Sequence, residues 1–339
     1  MSDKIEVLLF GLGAIGSFYA FILCSCPRVR LTVVARSNYA AVKENGILLK
    51  SANHGEHRFH PDHVIRSPSE LSPDSAPFDY VVCTNKAIDV DSVARALAPA
   101  ISGSTAIVII QNGVGNEEPF RRLYPENPII SCVTWVGAHQ PTPGVTTHTT
   151  SEATQLGLYA PTSPSAVPSL STFIDILSTP ENPHPTPLTP LAPDALQRTR
   201  WEKLMWNCAW NTLTSLTAQD CQAWLRSSDE ALPLTKRLMR EVVSVAHASG
   251  VALRESLVEE QIARMQGLGA ARTSMQTDRE MGRRMEVDVI IGTVVKGARR
   301  VGVDVPVLET VYALIRAVDG LAGAGTGGGA GAGEVRGRM

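Results

Sequence analysis

Along the first half of the chain the apolar positions come in short runs separated by polar, turn-forming stretches. Residues 5–10 (IEVLLF) are apolar up to Gly11-Leu12-Gly13-Ala14-Ile15-Gly16, and 17–24 continue as a mainly apolar, helix-like segment. This order predicts a strand, a glycine turn and a helix. Further apolar, β-branched runs at 31–35, 80–84, 106–110 and 129–133, with helical stretches such as 91–98 between them, predict a parallel sheet covered by helices on its faces.

The pattern changes over 161–193, which holds nine prolines in 33 residues. Proline lacks a backbone donor and disfavours helix in the residue before it, so the domain connection is expected here, with one short helix at 170–177. Beyond 194 the periodicity is helical, at 195–217, 232–249, 255–265, 285–301 and 308–318. The expected fold is α/β: an N-terminal Rossmann-type parallel-sheet domain over 1–193, then an all-helical C-terminal domain over 194–319. Residues 320–339 hold nine glycines and few bulky apolar side chains, so they are expected to form a disordered tail.

Composition narrows the classes. The 339 residues suit two domains, and 44% apolar against 19% charged residues suits a folded chain. Lysine and arginine total 31 and aspartate and glutamate 33, with the signs mixed along the chain. That argues against nucleic acid or a membrane surface as partner. No apolar run reaches the ~18–20 residues a membrane span needs, and the opening MSDKIEVLLF lacks the apolar core of a signal peptide, so a cytoplasmic protein is expected. The six cysteines are scattered and read as reduced, buried thiols. His54, His57, His60 and His63 recur every third residue, but Gly55 and Pro61 oppose a helix and a strand would turn successive rings to opposite faces, so no metal site is expected. There is no serine nucleophile elbow or P-loop to support a hydrolase or ATPase.

The residues that carry chemistry lie in both halves. In Gly11-x-Gly13-x-x-Gly16 the first glycine permits a tight turn, the second lets the backbone approach a pyrophosphate, and the third lets helix and strand pack closely. Proteins that bind NAD usually place Asp or Glu at the end of the second strand; this chain has Arg36 there, with Ser37 and Asn38 as further donors and Lys86 as a candidate second cation. A guanidinium at that position attracts a 2′-phosphate, which favours NADPH; the alternative is an arginine that is merely solvated. Asn112, in QNGVG, is either a turn asparagine or a residue touching nicotinamide or a catalytic group. Lys203, Asn207 and Asn211 recur at i, i+4 and i+8 along one side of a helix, with Trp206, Trp210 and Leu213 on another. Such a lysine is either a proton donor of lowered pKa or a snorkelling surface residue. Ser274 and Glu286 read on their own as an N-cap and a first-turn carboxylate.

Together, GLGAIG, Arg36, the NKA around Lys86, QNGVG, WEKLMWNCAWNTLTSL, TSMQTD and EVDVIIG, in that order, make the chain resemble the ketopantoate reductase (2-dehydropantoate 2-reductase) family. The resemblance implies a Rossmann domain holding NADPH through the 11–16 loop, a helical domain, and reduction of a small-molecule 2-keto acid in the cleft between them, as in pantothenate biosynthesis. It implies Lys203 as the catalytic lysine and Glu286 as the glutamate that holds substrate. It implies Asn207, Asn211 and Ser274 along the substrate site, Asn112 beside lysine and cofactor, and Arg36 with Lys86 at the 2′-phosphate. A homodimer paired through an apolar face of the helical domain is compatible with this. The long proline-rich insertion and the aromatic Trp206 and Trp210 depart from the family pattern, which leaves room for another branched or bulky 2-keto acid such as ketoisovalerate. A non-catalytic NADPH-binding regulator is the remaining alternative.

Overall fold

Each apolar run of the first half becomes a strand buried on both sides. The computed structural model describes residues 4–72, 76–159, 166–270 and 272–324, and the chain divides into two units, one running to Arg200 and the other starting at Trp201. The break falls later than the expected one after 193, inside a helix.

In the first unit the strands are β1 (Ile5–Phe10), β2 (Val29–Val34), β3 (Ile47–Ser51), β4 (Gly55–Phe59), β5 (His63–Ile65), β6 (Tyr80–Cys83), β7 (Ala106–Ile109), β8 (Ile129–Thr134), β9 (Ala138–Thr142), β10 (Val145–His148), β11 (Thr154–Leu158) and β12 (Leu188–Pro190). The helices are α1 (Ala14–Ser25), α2 (Tyr39–Asn45), α3 (Val90–Ala96), α4 (Glu118–Leu123), α5 (Ala166–Ser178) and the start of α6 (Pro193–Thr217). The main sheet has the order β12-β11-β8-β7-β6-β1-β2-β5. From β8 to β5 every neighbouring pair is parallel; β11 pairs antiparallel with β8. Side chains of β1 alternate between two cores: Val7 and Leu9 pack with Phe18, Ile22 and Phe173, while Leu8 and Phe10 pack with Ala94, Leu97 and Phe120. Burial of each such large side chain stabilises by ~1.5–3 kcal/mol. Phe10 is paired with Val34 on one side and Cys83 on the other, so β1, β2 and β6 end level with one another. The glycine turn and the loops carrying Arg36 and Lys86 therefore leave from one edge, the carboxyl edge where ligands bind in open α/β sheets.

A second sheet, of order β4-β3-β10-β9, was not legible in the sequence. Its short strands carry His, Thr, Gln and Arg, and only one face is packed, so no continuous apolar run marks them. Against this sheet four histidines gather. His54 is bonded to both Glu152 oxygens at 3.0 Å, and its ring centroid lies 6.1 Å from that of His148 and 5.5 Å from that of His184. The rings of His57 and His184 are 4.6 Å apart, and Phe18 and Phe21 cover the group. His54 and His57 share this cluster, contrary to strand alternation, because His54 lies in the turn before β4 and not in the strand.

The second unit continues α6 and adds α7 (Cys221–Arg226), α8 (Ala231–Ala248), α9 (Leu257–Gly267), α10 (Ser274–Glu280), α11 (Thr293–Val301) and α12 (Pro306–Ala324). The helix expected over 285–301 opens instead with a wide π-type turn, Asp288–Gly292. Asp288 is drawn aside by Tyr312 and Arg316, each at 2.6 Å, and Thr293 Oγ1 donates to the Asp288 carbonyl, five residues back. The tail expected from 320 is helical as far as Ala324: buried Asp319 accepts from the Met285 N–H at 2.7 Å and from Arg284, which anchors the end of α12. The rest of that tail, 325–339, lies outside the described residues. No helix among the described residues is long and apolar enough to cross a membrane, and all six cysteines are free thiols. Burial pushes the Cys132 thiol up to about 12, so it is held as inert SH.

Burial lowers the pKa of His148 and of His184, the latter helped by His57 and His54. The unfolded chain then binds more protons than the folded one below the ordinary histidine value of about 6.5, so stability present at neutral pH declines as pH falls through that value. Thermal melts at pH 8 and pH 5.5 should show this decline, and His184→Asn should make it shallower while leaving the pH 8 midpoint nearly unchanged. An identical pH dependence in the variant would show that the cluster is not its source.

Candidate active site

The glycine loop has the geometry of a dinucleotide cradle. Gly11 sits at φ +106°, and a Cβ there would meet the Asn85 backbone nitrogen at 2.3 Å; a Cβ at Gly16 would meet the Gly11 carbonyl at 2.0 Å. Neither position tolerates a side chain, because each seals the turn against β6 or against α1. Gly13 differs: it is exposed and a Cβ there would have nothing within 4 Å. Open space beside a bare backbone at the N-terminus of α1 fits a pyrophosphate. Leu12 is buried beneath the turn, while Ala14 and Ile15 are half-buried in the first turn of α1.

Around this loop the expected residues are distributed unevenly. Arg36 and Lys86 are both exposed, but they follow β2 and β6, which flank β1 on opposite sides. Asn38 was offered as a phosphate donor; it is instead buried, its amide given to the Leu12 carbonyl at 2.6 Å, so it ties the β2 loop to the glycine loop. Asn112 is half-buried in the turn after β7, its carbonyl receiving Asn116 Nδ2 at 2.7 Å. Two neighbours were missed. Gln111 gives its amide to the Asn85 carbonyl at 2.9 Å, and the side-chain oxygens of Gln111 and Asn85 are buried without a hydrogen-bond partner. Both flank motif residues already singled out, which was the available signal.

Arg200, also missed, fastens the start of α6 to this edge. Its guanidinium reaches the Gly113 carbonyl and Glu117 Oε1, each at 2.7 Å, and Ser131 Oγ at 2.5 Å; arginine and glutamate side chains are 2% and 1% exposed. Ser131 Oγ in turn donates to Glu117 at 2.6 Å. No sequence signal set it apart, because residues 197–203 (QRTRWEK) are mostly polar and charged.

In the second unit α6 presents the predicted polar row. Lys203 is half-buried, Asn207 and Asn211 are 6% and 4% exposed, and Asn207 Nδ2 is buried with no acceptor. Trp206 and Trp210 lie edge to face at 5.9 Å on a neighbouring side, with the Arg264 guanidinium over Trp206. Thr214 Oγ1 meets Thr273 Oγ1 at 3.0 Å, which binds the start of α10 to α6. Thr273 is the N-cap of α10, accepting from the Gln276 N–H, so Ser274 is not the cap and stands exposed in the first turn. Glu286 is half-buried just before the π-type turn, its carbonyl accepting from Ile290.

A doubly wound sheet with a bare glycine cradle at its carboxyl edge, followed by a helical unit, defines a Rossmann-type, NAD(P)-dependent oxidoreductase. Residues 7–161 match the family model described as ketopantoate reductase PanE/ApbA, and residues 195–319 match its C-terminal counterpart. The chain belongs to the ketopantoate reductase family. A crystal structure of 2-dehydropantoate 2-reductase from Methylococcus capsulatus superposes with a TM-score of 0.78 at 32% identity, covering 94% of this chain and 97% of that one. The 2-dehydropantoate 2-reductase of Halobacterium salinarum is 29% identical over 312 residues, 92% of this chain and 98% of its own. The fold is shared as well with D-mandelate dehydrogenase, solved with NADH and anilino(oxo)acetate, at TM-score 0.79 and 19% identity over 94% of this chain and 99% of that one.

Removing one partner of a buried ion pair strands the other charge. Arg200→Met should therefore destabilise by ~3–5 kcal/mol in denaturant unfolding, and Arg200→Met with Glu117→Gln should recover part of it. A single-variant loss below about 0.5 kcal/mol, the scale of an ordinary surface substitution, would mean that this network does not hold the helix.

Proposed function

We propose that the chain reduces 2-dehydropantoate to pantoate with NADPH, and that Lys203 is the general acid. The observation that supports this most directly is the row on α6: an ammonium group one turn from buried Asn207 and two turns from buried Asn211, with the Asn207 amide donor lacking an acceptor among the described residues. An unpaired buried donor costs ~1–3 kcal/mol, a cost that a polar ligand bringing an acceptor to Asn207 would recover.

In this reading bound NADPH supplies the hydride that the keto carbon accepts. Gly11 to Gly16 hold its pyrophosphate, and Arg36 attracts its 2′-phosphate, with Lys86 a longer-range positive charge on the far side of β1. Lys203 donates a hydrogen bond to the keto oxygen and passes its proton there as negative charge develops, an interaction strongest in the transition state. Asn207 and Asn211 orient the substrate and the lysine, Ser274 binds the substrate carboxylate, and Asn112 positions lysine and cofactor. Glu286 accepts a hydrogen bond from the substrate hydroxyl.

A second reading, reduction of a bulkier 2-keto acid without that hydroxyl, is favoured by the half-buried Trp206, an aromatic ring on the same helix as the polar row that is braced edge to face by the fully buried Trp210. The two readings part at Glu286.

Steady-state NADPH oxidation with a panel of 2-keto acids tests both. Lys203→Ala should lower kcat by ~10²–10⁴-fold with NADPH binding retained. Glu286→Gln should raise KM for 2-dehydropantoate and leave turnover of ketoisovalerate unchanged. Near-normal turnover in Lys203→Ala would refute the acid role, and turnover of ketoisovalerate with none of 2-dehydropantoate would favour the second reading.

A further inference from the structure

We propose that Arg66 is a specificity-determining residue for the cofactor: with Arg36 it forms the clamp for the 2′-phosphate of the dinucleotide. This deepens the NADPH reading and rests on it.

The argument starts from strand order. β2 and β5 are adjacent and parallel, with Val34 opposite Ile65, and the ladder ends with the Ala35 N–H donating to the Ile65 carbonyl at 2.9 Å. Arg36 and Arg66 therefore emerge side by side from neighbouring strands, whose spacing is about 4.8 Å, at the edge that carries the glycine loop. Lys86, by contrast, follows β6, and β1 stands between β6 and β2. That puts the strand ends of Arg36 and Lys86 about 10 Å apart, twice the strand spacing. A single phosphate group is more readily shared by the two arginines.

Arg66 is also oriented in advance. Its guanidinium carbon lies 3.9 Å from the centroid of the Tyr39 ring, at the start of α2. Stacking engages the face of the guanidinium plane and leaves its N–H edge for an anion. Its backbone N–H is held by Glu70 at 3.2 Å, which fixes where the side chain begins. Both arginines are exposed, and among the described residues neither guanidinium is engaged by a carboxylate. Ser37, next to Arg36, is exposed as a further hydroxyl donor. Two forked, permanently charged donors on adjacent strands suit a phosphomonoester dianion, which a single arginine would satisfy only in part.

Calorimetric titration of the intact protein with NADP⁺ and with NAD⁺, in the absence of any keto acid, tests this without relying on catalysis. The unmodified protein should prefer NADP⁺. Arg66→Gln should weaken NADP⁺ by about tenfold, in the range of a lost charge-assisted hydrogen bond, and leave NAD⁺ within about twofold. Arg66→Lys should recover part of the loss, since it returns the charge without the fork. Equal weakening of both dinucleotides, or no change in either, would overturn the clamp; if Arg36→Gln alone then abolished the preference, the NADPH reading would survive without it. An unmodified protein that bound neither dinucleotide would overturn both.

Discussion

The close approach of three backbone segments at the end of β1 is the constraint from which the rest follows. Gly11 touches the chain at Asn85, and Gly16 touches Gly11, at distances that leave no room for a methyl group. Only with both hydrogens in place can α1 start directly beneath the turn and aim its first amides past Gly13 into open space. Around that point the fold adds ties that keep neighbouring loops in step: Asn38 to Leu12, Gln111 to Asn85, and Thr84 Oγ1 to the Gly11 carbonyl. Each is a side chain bonded to another segment's backbone, so the loops at this edge hold one another in place.

How much of this could be read from the sequence depended on how each part is stabilised. Strands buried on both faces announce themselves as unbroken apolar runs, and β1, β6, β7 and β8 fell where those runs are. The long helices announced themselves by period. The second sheet did not, because one face of each short strand is polar and its partners, such as Val145 opposite Leu48, are far apart along the chain. The π-type turn at Asp288–Gly292 was also out of reach, since it depends on Tyr312 and Arg316 drawing Asp288 aside from another helix. At the candidate site the motif residues were legible as types at spacings, whereas Arg200 and Gln111 were not, because their importance lies in burial and in partners that only the folded chain supplies.

Buried polarity separates the two ends of α6. Near its start, Arg200 and Glu117 are almost wholly withdrawn from water, yet the arginine finds a carboxylate, a hydroxyl and a carbonyl. A charge removed from solvent is tolerable only when it is paired and hydrogen-bonded, and here the partners lie in the QNG turn, just after it and on β8. Farther along, the same helix buries Asn207 without giving its amide any acceptor. If burial alone governed this helix, an apolar residue would serve better at that position, as Leu204 and Cys208 do beside it. One stretch of helix thus contains a charge paired by the fold and an amide donor that the described residues leave without an acceptor. The first fixes where the helix begins; a bound ligand that brought an acceptor would satisfy the second.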